Sequence, residues 1–293
     1  MSTHANSGGT TAAPTVPNTP PMRVGVVSYL NTLPLIDGLD DLDGLELRRL
    51  VPSLLADALA AGDVDVALCS SIDYLRSAVP LALVPVGMLG SHGETLTVRL
   101  YSQRPIAELA EVHCDTDSHT SVALLQIVLN ERYGVRPRIV DYNARERTAQ
   151  HRVLEEPEAM LLIGDKVVVD SPPAVRYPHQ LDLGAEWLAL TGLPFVFAVW
   201  MARRDADPAT VRAIAAVLDR QRRHNRERLD TIVHRRAATR SWPRDLADRY
   251  LKQHLRFDLD EEARRGLELF HRKAHAAGLA ADLRPLESFP LSV

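Results

Sequence analysis

Three short segments gather the side chains that this sequence offers for chemistry. Ser28-Tyr29-Leu30-Asn31-Thr32 follows an apolar run, and Leu33-Pro34-Leu35 then opens a helix. Ser70-Ser71 closes another apolar run ahead of Ile72-Asp73-Tyr74. Asp117-Ser118-His119-Thr120-Ser121 starts a long stretch of helical spacing. Each sets hydroxyls beside the unpaired N–H groups of a helix start, a ready seat for an anion. Taken singly, each segment reads as ordinary helix capping. Three of them turned toward one cleft read as a site. Asp165, in Gly164-Asp165-Lys166 after a further apolar run, reads first as a helix-starting acid or a partner of Lys166. His119, the one histidine inside these segments, reads as a bystander.

The elements that must position these residues are short. Arg23–Ser28, Leu45–Val51 and Val64–Cys69 read as strands, and Pro52 opens a helix that Gly62 stops. Continuous rather than alternating hydrophobicity points to strands covered on both faces, hence a parallel sheet with crossover helices. Leu81–Met88 and the alternating Thr95–Tyr101 follow. A second set then runs through a strand at Val112–Cys114, a helix at Ser118–Tyr133, a strand at Ile139-Val140, a helix at 144–155 and a strand at Ala159–Ile163. Leu193–Met201 reads as a strand crossing back, and 208–236, 243–255 and 260–278 read as helices. No repeat of solenoid period is present.

This order predicts an α/β protein of two lobes with a ligand cleft at the hinge. Residues 1–21, rich in Ser, Thr, Pro and Gly, are expected to be a disordered tail. Residues 22–106 are the expected first part of lobe 1, and 107–198 are lobe 2. Residues 199–293 are a return strand and a strandless helical tail that complete lobe 1. In open α/β sheets the ligand sits off the carboxyl ends of the strands, so the loops after strands should face the cleft.

Composition removes other classes. The 293 residues carry 34 Lys+Arg against 38 Asp+Glu, a net charge of -4, which gives no basic face for nucleic acid. The Arg-rich stretch Arg220–Arg236 is interleaved with acids and reads as a solvated helix face. No apolar run approaches the roughly 18–20 residues of a membrane span. The chain start shows neither the charge nor the apolar stretch of a secretory signal, so a cytoplasmic location is expected. Cys69 and Cys114 read as buried free thiols. Gly-rich nucleotide loops, zinc-spaced His/Glu pairs and the Gly-x-Ser-x-Gly elbow are all missing, so neither metal nor cofactor is expected. The oligomeric state stays open.

Read in order, several stretches resemble the chorismate dehydratase family, which opens the futalosine route to menaquinone. They are Ser28-Tyr-Leu-Asn-Thr-Leu-Pro-Leu35, Val64-Asp-Val-Ala-Leu68 with Ile72-Asp-Tyr74, Ser118-x-Thr-Ser121, Leu162-Ile-Gly-Asp165, and Leu181-Asp-Leu-Gly184 leading into Thr191-Gly-Leu-Pro-Phe-Val-Phe-Ala-Val-Trp200. The resemblance runs from about Arg23 to beyond Trp200 and implies a type II periplasmic-binding-protein-like fold. Two positions depart from the family pattern. Cys69-Ser70-Ser71 fills a turn that more often holds Pro or Gly, and Thr97 stands where serine is expected.

The activity this resemblance implies is loss of water from chorismate to give 3-[(1-carboxyvinyl)oxy]benzoate. No candidate segment supplies an evident base, so the enolpyruvyl carboxylate of the substrate is expected to take the proton. Asn31 is the expected catalytic residue, holding that side chain in reactive geometry. Thr120 and Ser121, with the helix start and Ser118, are expected to bind a carboxylate. Ser70, Ser71 and Thr97 are expected at the ring hydroxyl or the second carboxylate, with Ser28 and Tyr29 also at the substrate. Asp165 is the fallback base. On this reading Asn31 and Thr120 line one pocket. The alternatives are a non-catalytic binding protein for a small dicarboxylate and the related dihydroxynaphthoate synthase.

Overall fold

The computed structural model describes residues 21–144 and 156–291. The expected tail over residues 1–20 and nearly all of the expected helix at 144–155 lie outside the described residues.

The chain runs through β1 (Met22–Val26), β2 (Leu45–Arg49), β3 (Val66–Ser70) and β4 (Leu81–Ser91). Then come β5 (Val98–Ser102), β6 (Glu111–Asp115), β7 (Arg138–Tyr142), β8 (Ala159–Ile163) and β9 (His179–Asp182). β10 (Phe195–Arg203) and β11 (Leu255–Arg256) follow. Among the described residues these form a six-stranded sheet of order β11-β4-β10-β3-β1-β2 and a five-stranded sheet of order β7-β6-β8-β5-β9. Both sheets are covered by helices, which is the two-lobed α/β arrangement the sequence predicts. Every residue of β3 and β8 is buried, as continuous apolar strands at the centre of a sheet require.

The sheets are mixed, not parallel throughout. β1 pairs parallel with β2 and β3, and β6 pairs parallel with β7 and β8. β10 is antiparallel to β3 and β4, and β5 is antiparallel to β8 and β9. Apolar runs report burial on two faces and carry no information about direction. The antiparallel strands β5 and β10 are those that enter a sheet directly from the other lobe.

The crossings also come earlier than the boundaries expected at 106 and 198. β5 already pairs in the second sheet, so the first crossing lies before Val98. β10 pairs in the first sheet from Phe195, so the second crossing lies before that residue. Nor is the tail strandless, since β11 pairs with β4. The helix expected over 243–255 is helix Arg244–Arg249 followed by a π-helical turn, Tyr250–His254.

Two devices hold the crossings. At the first, Leu96 sits at φ +58, a left-handed conformation unusual for leucine. It is held there by Asp182, whose carboxylate accepts from the Thr95 and Leu96 amides at 2.9 and 2.8 Å. The same carboxylate caps helix Leu183–Thr191. At the second crossing, Trp187, Phe195 and Phe270 meet edge to face, with ring centroids 4.9–6.1 Å apart. Phe270 belongs to helix Glu261–Ala276, which packs on β10 and on helix His119–Tyr133. Gly266 permits that approach, for a Cβ there would lie 2.2 Å from the Pro194 carbonyl. Cys69 and Cys114 are buried free thiols, and burial pushes the Cys114 thiol up to about 12.

Candidate functional site

The carboxyl ends of β1, β3, β6 and β8 converge on a cavity between the two sheets. The loop after β1 brings Tyr29, Asn31 and Thr32 to it, and β3 ends there at Ser70. The first crossing contributes Thr95 and Thr97, and helix His119–Tyr133 contributes Ser118 and Ser121 at its start. Gly164 follows β8, and Tyr250 reaches in from the π-helical turn. Val27, Leu68, Ile163 and Phe197 supply apolar walls. Among the described residues, no lining side chain is an acid, a Lys, an Arg or a His. The polar groups on offer are hydroxyls, one carboxamide and the backbone.

Asn31 is only 9% exposed, and among the described residues its Oδ1 has no hydrogen-bond partner. A buried carbonyl oxygen without a donor costs about 1–3 kcal/mol, a cost that a bound donor relieves. Ser118 caps its helix by accepting from the Ser121 amide at 3.2 Å, and the two hydroxyls lie 3.0 Å apart. They face the cavity as a pair at a helix N-terminus, where a carboxylate is favoured. Thr97 is set by the register of β5 on β8, its carbonyl accepting from Gly164 N at 2.8 Å.

Six of the predicted site residues thus share one cavity: Tyr29, Asn31, Ser70, Thr97, Ser118 and Ser121. Four do not line it. Ser28 is exposed because Val27 and Tyr29 turn inward and the residue between them turns out. Ser71 Oγ donates to the Val196 carbonyl at 2.7 Å, one residue past the cavity-facing Ser70. Thr120 lies on a different side of its helix from the Ser118–Ser121 pair, which share a face by their spacing of three. Its Oγ1 accepts from Ile72 N at 3.2 Å and lies 3.3 Å from Ser71 Oγ. The expectation that Asn31 and Thr120 line one pocket is therefore corrected: Thr120 joins the lobes behind the cavity. Asp165 turns its carboxylate to the Leu30 amide, 3.3 Å away. Burial pushes its carboxyl above the ordinary value, against that amide.

A cluster of paired charged groups lies beside the cavity. Lys166 Nζ lies 2.5 Å from Asp115 and 2.7 Å from Asp117, and Tyr29 Oη donates to Asp117 at 2.9 Å. Burial holds the Asp115 carboxyl above its ordinary value despite Lys166. The Tyr29 ring rests on Gly164, which has φ +67 and whose added Cβ would meet the ring at 3.2 Å. His119 is no bystander: its Nδ1 lies 2.8 Å from Asp73 on the opposite lobe, and that bond raises the imidazole above its ordinary value. Among the described residues no group of three or more His, Cys, Asp or Glu side chains is placed to hold a metal ion.

Tyr250, like Thr95, is a lining residue that sequence reasoning missed. It is fully buried, stacked on Trp242 with centroids 5.0 Å apart, and its Oη lies 2.6 Å from Thr97 Oγ1. It comes from a stretch with no strand before it, so the rule that site residues follow strands passes over it. A tryptophan and a tyrosine eight residues apart in an otherwise Arg-rich tail were the available signal.

A family model described as menaquinone biosynthesis matches residues 22–276. The chain belongs to the menaquinone-biosynthesis family. Within it, the chain is 33% identical over 273 residues to the chorismate dehydratase of Thermus thermophilus, covering 88% of this chain and 96% of that relative. Solved structures at lower identity place this family member by fold alone. The periplasmic aliphatic sulphonate binding protein SsuA of Escherichia coli gives a TM-score of 0.60 at 14% identity, over 90% of this chain and 95% of that one. A Candida albicans protein with the generic periplasmic binding protein fold gives 0.60 at 12% identity, over 90% and 92%. The fold is therefore periplasmic-binding-protein-like, and the resemblance read from the sequence is to the family that the comparison finds. Among the described residues no helix is long and apolar enough to cross a membrane.

Proposed function

We propose that the protein is a chorismate dehydratase, a hydro-lyase of the futalosine route acting in the cytoplasm on a small-molecule substrate. One observation carries the reading beyond kinship. The cavity pairs neutral donors at a helix start with a buried carboxamide, and among the described residues no charged side chain lines it. A dianion held this way meets no base among the described lining residues, and chorismate brings its own.

In the proposed reaction, one substrate carboxylate sits on Ser118 and Ser121. The enolpyruvyl carboxylate takes the proton from the ring carbon that bears the ether. The neighbouring carbon loses its hydroxyl, which leaves with that proton as water, and the ring becomes aromatic. Ser70 and Thr97 hydrogen-bond the hydroxyl or the second carboxylate. Asn31 keeps the reacting groups together, a proximity effect that lowers the barrier by several kcal/mol, on the order of those measured for intramolecular reactions. Asp165, turned to the Leu30 amide, is left out of this chemistry. The likeness in fold to a periplasmic sulphonate-binding protein keeps a second reading in view, a receptor that binds a small carboxylate ligand unchanged.

Incubating the purified protein with chorismate alone tests both. The dehydratase reading predicts a new aromatic absorbance and a product lighter by one water. Saturable binding with chorismate recovered intact leaves the receptor.

A further inference from the structure

Thr97 and Tyr250 meet at the wall of the cavity. One stands at the first crossing and the other on the π-helical turn, 153 positions apart in the chain, and both line the cavity. Their hydroxyl oxygens lie 2.6 Å apart, and both side chains are buried. A pair of hydroxyls carries two protons, and the bond between them uses one. The other proton needs an acceptor. The Thr95 carbonyl is the group at hand, but it already accepts from the Thr97 amide at 2.7 Å and stands 3.5 Å from Thr97 Oγ1. That separation is beyond the ordinary range of an O–H donor. Among the described residues neither hydroxyl has a further hydrogen-bond acceptor.

Which hydroxyl keeps the free proton follows from acidity. The phenol is a far stronger acid than the alcohol, so an anion in the cavity draws the phenol proton. Thr97 then turns its own proton onto the phenol oxygen, and two bonds in series strengthen one another. Burial raises the phenol above its ordinary value, so it stays protonated and able to donate at neutral pH. The ring stacks on Trp242 with planes 14° apart, which holds the hydroxyl in place.

We propose that Tyr250 is a ligand-binding residue, donating its phenol proton to a carboxylate of the substrate while Thr97 donates to the phenol oxygen. The identity of that ligand rests on the dehydratase reading. Ser118 and Ser121 follow β6 of the five-stranded sheet, and Tyr250 precedes β11 of the six-stranded one. A ring acid with a carboxylate on each of these seats bridges the cleft, which selects for a dianion over a single acid. Thr97, its proton spent, meets the ligand as an acceptor, which narrows its role to the ring hydroxyl.

Tyr250→Phe keeps the stacked ring and removes the donor. Calorimetric titration with the product dianion, 3-[(1-carboxyvinyl)oxy]benzoate, should show an affinity at least about tenfold below wild type, the size of a hydrogen bond to a charged group. 3-Methoxybenzoate keeps only the ring carboxylate, and 2-phenoxyacrylate keeps only the enolpyruvyl one. One of these two lacks the group that Tyr250 holds and should bind wild type and variant equally. An equal loss on all three ligands marks a merely structural role and overturns the proposal. So does an unchanged affinity for the dianion, or a wild type that binds no dianion at all.

Should Tyr250→Phe fail to fold, Thr97→Val leaves the phenol and removes the proton that supports it. Affinity for the product dianion should fall by about threefold or more, with the same truncated acid unaffected, and equal affinity overturns the proposal. The product has no ring hydroxyl, so this loss reports on the phenol. If the wild type returns chorismate intact, the dehydratase reading fails on its own. Titrating wild type and Tyr250→Phe with chorismate then decides the role of Tyr250, weaker binding by the variant supporting it and equal binding overturning it.

Discussion

Tyr29 Oη donates to Asp117 Oδ2 at 2.9 Å, and that bond spans the cleft. Tyr29 leaves the first sheet after β1, and Asp117 leaves the second after β6. Asp117 is itself held by Lys166, whose other partner is Asp115, so the latch rests on a buried charge cluster. The Leu30 amide on Asp165 and the His119–Asp73 pair span the same cleft. The lobes are closed on the cavity by bonds whose charged members do not line it.

Lys166→Met removes the cation between two carboxylates that are nearly out of solvent. Breaking a buried pair in this way costs about 3–5 kcal/mol. Urea unfolding at pH 7 should show a loss of that size, and the loss should shrink as the pH falls, because burial raises the Asp115 carboxyl and its charge is lost on acidification. A variant within about 1 kcal/mol of wild type contradicts the cluster's role.

The His119–Asp73 pair predicts a pH dependence of the opposite kind from an ordinary carboxylate. The bond to Asp73 raises the folded imidazole above the ordinary histidine value of about 6.5. Its contribution is therefore complete below that value and is lost as the pH rises through the higher folded pKa. His119 is more than a third exposed, so the contribution stays under about 1 kcal/mol. Melting temperatures of wild type and His119→Gln should differ most at acid pH and converge in mild alkali. A gap that widens with pH contradicts the assignment.

Asp165→Asn preserves an oxygen to accept from the Leu30 amide and abolishes any role as a base. Because the carboxylate does not line the cavity, kcat should stay within about threefold of wild type, roughly 0.7 kcal/mol of barrier. Steady-state kinetics with chorismate check this, and a collapse in kcat with the fold intact would make Asp165 the base.

The two-lobed fold was legible because β3 and β8 are buried on both faces and show it as unbroken apolar runs. Strand direction was not, since burial is indifferent to it, and so the antiparallel β5 and β10 came as a difference. Tyr29, Asn31, Ser70, Ser118 and Ser121 were legible because each follows a strand whose carboxyl end faces the cleft. Ser28, Ser71 and Thr120 follow the same strands but point elsewhere, which depends on a half-turn of backbone that sequence spacing does not resolve. Tyr250 was illegible for another reason: it lies 219 positions after Asn31 in the chain, on a π-helical turn that only tertiary packing brings to the cavity.

The central claim is that a cavity of neutral groups dehydrates chorismate with Asn31 in the chemistry. The direct measurement is single-turnover and steady-state kinetics of Asn31→Ala beside its affinity for chorismate. Loss of one aimed polar group should lower kcat by about 10²–10³, with the dissociation constant changed only a few-fold. An Asn31→Ala protein that forms the aromatic product at the wild-type kcat contradicts the account.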